Sequence, residues 1–134
     1  MTVVKRLDHF NIQTHDMAQT IAFYADLLSL EARAAPQRDP ADRMWLYDAG
    51  GRAVIHLNRF GTDNTIPREV VPGNPTGAIH HVAFECEGYE ETLGKINARG
   101  LSFATNDIPQ IKLRQVFVAD PNNVLLELNF RDQV

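Results

Sequence analysis

Short runs of alternating apolar and polar positions recur along the chain, and they recur in the same order twice. Residues 7–12 read Leu-Asp-His-Phe-Asn-Ile and residues 79–84 read Ile-His-His-Val-Ala-Phe, each with a histidine third, His9 and His81. Further on, residues 54–58 read Val-Ile-His-Leu-Asn and residues 125–129 read Leu-Leu-Glu-Leu-Asn, which sets His56 in register with Glu127. The two separations along the chain are nearly equal, so an internal duplication organises the sequence. Each half predicts a helix after its first strand. Asp16 with Gln19 resembles a capping box, and Met17, Ile21, Tyr24 and Leu28 follow at helical spacing. Tyr89, Leu93 and Ile96 repeat that spacing in the second half, closed by Gly100. The β-type runs after the helices are Glu31–Ala34, Trp45–Asp48 and Ala53–Asn58, then Leu101–Ala104, Leu113–Ala119 and Val124–Phe130. Asp48-Ala-Gly-Gly and Asp120-Pro-Asn-Asn supply turn chemistry between the last strands of each half. The expected organisation is one domain over 1–134, with modules at about 4–60 and 78–130 and a linker at 61–77 carrying prolines 67, 72 and 75.

Strand alternation separates two faces. Phe10 and Ile12 share one face and His9, Asn11 and Gln13 the other; Ile55 and Leu57 oppose Val54, His56 and Asn58. Val82 and Phe84 oppose His81, Ala83 and Glu85, while Leu126, Leu128 and Phe130 oppose Leu125, Glu127 and Asn129. A merely solvated face would carry a mixture of Lys, Thr, Glu and Arg. Three histidines and a glutamate stand instead at the four equivalent positions. Three imidazoles and a carboxylate suit a divalent ion of intermediate softness: zinc, nickel, cobalt, manganese or iron(II).

Composition narrows the class. At 134 residues, 44% hydrophobic and 22% charged, the chain has the make-up of one globular domain. The formal net charge of −4 with no basic block argues against nucleic acid and anionic membranes as partners. No apolar run approaches the ~20 residues that span a bilayer. Charges near the start, where a signal peptide needs an apolar core, and a single cysteine, Cys86, lead us to expect a cytoplasmic protein.

The segments Leu-Asp-His-Phe-Asn-Ile, Ile21-Ala-Phe-Tyr-Ala-Asp-Leu-Leu, Ala53-Val-Ile-His-Leu, Ile79-His-His-Val-Ala-Phe and Val118-Ala-Asp-Pro-Asn-Asn-Val-Leu-Leu-Glu-Leu together resemble the vicinal oxygen chelate superfamily. That superfamily includes glyoxalase I, fosfomycin-resistance enzymes, methylmalonyl-CoA epimerase, extradiol dioxygenases and bleomycin-binding proteins. The resemblance runs from Leu7 to Phe130. It implies an α+β glyoxalase-like fold, two tandem βαβββ modules forming an open eight-stranded barrel-like cup. It also implies one divalent transition metal ion on His9, His56, His81 and Glu127, within one chain or across a homodimer. Two positions depart from subfamily patterns: His56 stands where bacterial glyoxalase I has a glutamate, and Phe117 where extradiol dioxygenases usually have a tyrosine.

The function implied is a metal-dependent lyase or isomerase. Its substrate is a small oxygenated metabolite that offers adjacent oxygens to the metal and is deprotonated. Glu127 is the first candidate base and His56 the second. An iron(II)-dependent dioxygenase of the extradiol type is the first alternative, and a resistance protein that sequesters a small molecule the second. Arg114, in a strand of the second half, is a candidate partner for a substrate carboxylate. Trp45 and Tyr47 are candidate pocket walls, and Asn11 and Asn58 candidate hydrogen-bonding groups on the ligand-bearing faces. By parity His80, Cys86 and Asp8 are expected to point away from the metal.

Overall fold

A computed structural model describes residues 1–64 and 66–131. The elements are β1 (Phe10–Thr14), α1 (Met17–Leu28), β2 (Glu31–Ala34), β3 (Arg43–Tyr47) and β4 (Ala53–Arg59). They are followed by β5 (Val82–Cys86), α2 (Tyr89–Ala98), β6 (Phe103–Ile108), β7 (Leu113–Ala119) and β8 (Leu125–Phe130). One 3-10 turn, Pro109–Ile111, joins β6 to β7. The strands make two four-stranded sheets with orders β1-β4-β3-β2 and β5-β8-β7-β6, one for each of two tandem βαβββ modules. The chain divides into two compact units, with a break between Pro72 and Gly73; Asp26–Leu28, at the end of α1, groups with the second. No helix among the described residues is long and apolar enough to cross a membrane.

In each module the first and last strands pair in parallel, β1 with β4 and β5 with β8, and the remaining pairs are antiparallel. A parallel pair cannot be joined by a hairpin, so the chain leaves through the helix and returns through two antiparallel strands. Both first strands start three residues later than the apolar pattern suggests. Their ladders open with Phe10 opposite Ile55 and Val82 opposite Leu126, which leaves His9 and His81 as the residues just ahead of the pairing.

Asp16 caps α1 with its side chain accepting from Gln19 N at 2.9 Å. The buried side of α1 is Thr20, Phe23, Tyr24 and Leu27, one position round from the expected stripe. Likewise α2 buries Tyr89, Thr92 and Ile96, with Thr92 in place of Leu93. Hydroxyl bonding explains the shift. Thr20 meets Thr14 at 2.9 Å between hydroxyls, and Thr92 donates to Gly88 O at 2.9 Å, so each threonine is buried without an unmet polar group.

The turns entering β4 and β8 are copies of one another. Asp48 Oδ1 accepts from Gly50 N and Arg52 N; Asp120 Oδ1 accepts from Asn122 N and Val124 N. The third turn residue lies in the left-handed region in both, Gly51 at φ +79° and Asn123 at φ +65°, conformations that glycine and asparagine tolerate. Asp120 is buried, whereas Asp48 keeps more of its surface in water. Removing a buried acceptor costs about 1–3 kcal/mol. Asp120→Ala is therefore expected to lower unfolding free energy by ~2 kcal/mol in urea melts, and Asp48→Ala by less than half of that, because water can replace its carboxylate.

Candidate functional site

In the first module, strand register builds a polar face. Asn11 and Trp45 lie opposite His56 on its two sides, and Arg43 lies opposite Asn58. The His56 ring is held between two others: His9 at 3.6 Å between centroids, 11° from parallel, and Trp45 at 4.1 Å and 8°. Burial in this stack, reinforced by the neighbouring His9 and opposed by Asp8, pushes the His56 pKa down to about 4, so its imidazole is neutral at pH 7. His9 Nδ1 is 2.5 Å from Asp8 Oδ2. That hydrogen bond, helped by the charges of His9, His56 and Arg6, holds the Asp8 carboxyl below its ordinary value. Beside the stack lies a cleft of about 220 Å³, lined by Asn11, Arg38, Arg43, Trp45, His56 and Asn58, with Ala35 and Pro36 as its apolar members.

The second module places hydrogen-bonding side chains at the same register. Ala83 and Phe117 flank Glu127, and Gln115 lies opposite both Asn106 and Asn129. A continuous chain of bonds results. Asn106 Nδ2 donates to Gln115 Oε1 at 2.8 Å, Gln115 Nε2 to Asn129 Oδ1 at 3.1 Å, and Asn129 Nδ2 to Glu127 Oε2 at 2.9 Å. The other oxygen of Glu127 is 3.5 Å from His81 Nε2, and His81 Nδ1 is 2.9 Å from His80 Nδ1. Glu127 is thus oriented from one side and paired on the other.

These pairs can be tested against a metal ion. Two ligands about 2.1 Å from a tetrahedral centre are ~3.4 Å apart, so the 3.5 Å separation of His81 and Glu127 matches one edge of such a site. His9 also fits, since a carboxylate on Nδ1 is a common outer partner of a ligating histidine and leaves Nε2 for the metal. His56 does not fit beside His9. Imidazole lone pairs lie in the ring plane, and one ion cannot lie in two nearly parallel planes 3.6 Å apart. In this arrangement the two rings cannot both direct a lone pair at one ion. His56 is a stacked, neutral member of the cleft. Among the described residues, no three His, Cys, Asp or Glu side chains gather into a group able to hold a metal; the structure brings together His9 with His56, and His81 with Glu127.

Other expectations are also redrawn. Arg114 is not on the Glu127 face: it lies opposite Phe130 and Asp107, packs 3.7 Å over the Tyr89 ring and pairs with Asp107 and Glu90. Its parity within β7 differs from that of Gln115 and Phe117. Trp45, Asn11 and Asn58 line the cleft, whereas Tyr47 lies under Arg33 at 4.4 Å and outside it. Asp8 and His80, expected to turn away, each engage the histidine that follows them, because neither lies in a strand where alternation would separate neighbours. Arg38 and Arg43 were not expected in the cleft; Arg43 shares the parity of Trp45, a signal the sequence did carry.

A sequence model described as the Glyoxalase/Bleomycin resistance protein/Dioxygenase superfamily matches residues 6–128. No curated protein matches the chain. Among solved structures, a protein from the mobile metagenome of V. pseudocholerae is similar at 17% identity and TM-score 0.75, covering 99% of each chain. A glyoxylase/bleomycin resistance protein/dioxygenase domain from Frankia sp. EAN1pec is 16% identical, with TM-score 0.69 over 98% of this chain and 96% of that one. A single-residue mutant of the fosfomycin resistance protein FosX from Listeria monocytogenes, complexed with Mn(II) and 1S,2S-dihydroxypropylphosphonic acid, is 21% identical. Its TM-score is 0.65 over 94% of this chain and 90% of that one. At these identities the structural likeness concerns the fold, and the match to the family model settles membership: the chain belongs to the Glyoxalase/Bleomycin resistance protein/Dioxygenase superfamily.

Proposed function

We propose that this chain is a metal-dependent lyase or isomerase that deprotonates a small oxygenated metabolite, with His9, His81 and Glu127 as ligands to a divalent transition metal ion. The observation that carries the reading is the His81–Glu127 pair at ligand-edge distance, with Glu127 oriented by Asn129. Mn(II) in the structure of the similar FosX supports it. When bound, the ion supplies a Lewis acid for negative charge on two adjacent substrate oxygens. Asp8 orients His9 through Nδ1, and the Asn106–Gln115–Asn129 chain fixes the Glu127 carboxylate. His56 faces the cleft as a neutral imidazole and, after Glu127, is the second candidate to receive a substrate proton. The assembly proposed is a cytoplasmic homodimer.

Two histidines and one carboxylate also form the ligand set of non-haem iron(II) oxygenases. That makes an extradiol-type dioxygenase the second reading, although Phe117 rather than tyrosine lies opposite Glu127.

Elemental analysis of protein purified without chelator or histidine tag tests the metal reading. About one zinc, nickel, cobalt or manganese per chain is expected, with at least a tenfold loss of affinity in Glu127→Gln and His81→Ala and no loss in Arg114→Gln. Iron retained under anaerobic handling, with oxygen uptake on a catechol-like substrate, would move the assignment to the dioxygenase. No ion after reconstitution with each of these metals would overturn both.

Because the folded His56 pKa lies below its ordinary 6.5, the unfolded chain binds the extra proton first as pH falls. Stability of the metal-free protein is expected to drop between pH 6.5 and 4, seen as a Tm lower by several degrees. The drop should be smaller in His56→Gln. An unchanged acid limb in that variant would show that the stack does not hold His56 neutral.

A further inference from the structure

We propose that the first-module cleft takes the anionic group of a small-molecule ligand, a carboxylate or a phosphorus oxyanion, on Arg38 and Arg43, with Trp45 as its aromatic wall. This deepens the function proposed above and rests on it where that ligand is called the substrate. The lining contains two guanidinium groups and no carboxylate, in a chain whose net charge is −4. Several acids of the same module are already engaged. Asp42 pairs with Arg59 at 2.6 Å, Glu31 with Arg33 at 3.1 Å, and Asp48 is committed to its turn. Arg43 Nη2 donates to the carbonyl of Asp63, a contact that fixes the side chain without neutralising it. Neither arginine has an ion-pair partner among the described residues. Two like charges beside one concavity repel each other, and an anion between them relieves the repulsion while accepting from their planar forks. The amides of Asn11 and Asn58 and the His56 ring add polar groups that distinguish one oxygenated ligand from another. At about 220 Å³ the cleft is smaller than the ~300 Å³ at which drug-sized pockets begin, so its occupant is of metabolite size.

Trp45 is the only tryptophan in the chain, so its fluorescence reports on this cleft. The full chain, stripped of metal, would be titrated at constant ionic strength with inorganic phosphate, methylphosphonate and malonate, with potassium chloride as the blank. A saturable change with at least one of the three is expected, and the tightest of them assigns the anion to the phosphorus or the carboxylate class. Arg38→Gln and Arg43→Gln should each weaken it at least tenfold, about 1.4 kcal/mol. Arg68→Gln, the same charge change at an exposed arginine outside the cleft lining, should leave it within twofold. Arg38 is exposed, so its variant carries the test if Arg43→Gln, which also loses the Asp63 bond, melts early. No saturable response to any anion, or equal weakening by Arg68→Gln, would overturn the proposal. Metal content measured on the same preparations separates the two readings. An ion bound without an anion response removes this inference alone, and an anion response in protein that accepts no ion removes the metal reading alone.

Discussion

Parallel pairing of the first and last strands is the constraint on which each module depends. It fixes which side chains become neighbours across β1 and β4, and across β5 and β8, although some forty residues of chain lie between them. Because the pairing is in register on both sides of β4, Trp45, His56 and Asn11 form one row across three strands, and Arg43, Asn58 and Gln13 the next. In β8 the same register yields Phe117, Glu127 and Ala83, then Gln115, Asn129 and Glu85. A slip of one residue would turn each row over to the buried face that holds Ile55 and Leu57, or Leu126 and Leu128. The site is therefore maintained by the same burial that stabilises the sheet. A buried leucine exchanged for alanine typically costs about 2–5 kcal/mol, so the alternative register is strongly disfavoured.

On this common scaffold the two modules have diverged chemically. In the first, the position opposite Asn11 holds an imidazole, and its neighbours are rings. Burial in the stack desolvates His56 and lowers its pKa well below the ordinary imidazole value. In the second, the equivalent position holds a carboxylate, and its neighbours in the adjacent row are amides that supply hydrogen bonds. A carboxylate needs donors to remain ionised when half-buried, whereas an imidazole becomes neutral by losing solvent alone. The different surroundings follow from the different needs of the two groups.

Most of this was legible in the sequence because a period of two is a strong signal when one face is apolar. The strands Glu31–Ala34 and Leu113–Ala119 and both aspartate turns are found where pattern and turn chemistry put them. What was not legible has identifiable causes. Thr20 and Thr92 were passed over as buried residues because their burial depends on hydroxyl partners that a hydropathy pattern does not contain. Naming Arg114 a candidate partner for a substrate carboxylate takes no account of its parity in β7, which it shares with the buried Val116 and Val118; Gln115, its neighbour, is the residue that reaches Asn129. Asp8 and His80 escaped because alternation was extended past the ends of β1 and β5. The stacking of His56 between His9 and Trp45 depends on ring orientations, and spacing along a chain says nothing about those.

The residues just outside the strands therefore matter as much as those within them. His9 and His81 each precede the first paired residue of a strand, where the backbone is no longer held by a ladder. A histidine at such a point keeps several ring orientations unless a neighbour selects one, and in both modules the preceding residue occupies Nδ1. The selecting group differs. Asp8 is an anion that pairs directly with an imidazole N–H, whereas His80 must itself adopt the complementary tautomer to share a proton with His81. Orientation of His9 is thus fixed by charge and that of His81 by tautomer choice. Duplication supplied the same geometric opening twice; the residue placed immediately before each histidine decides how firmly its free nitrogen is aimed.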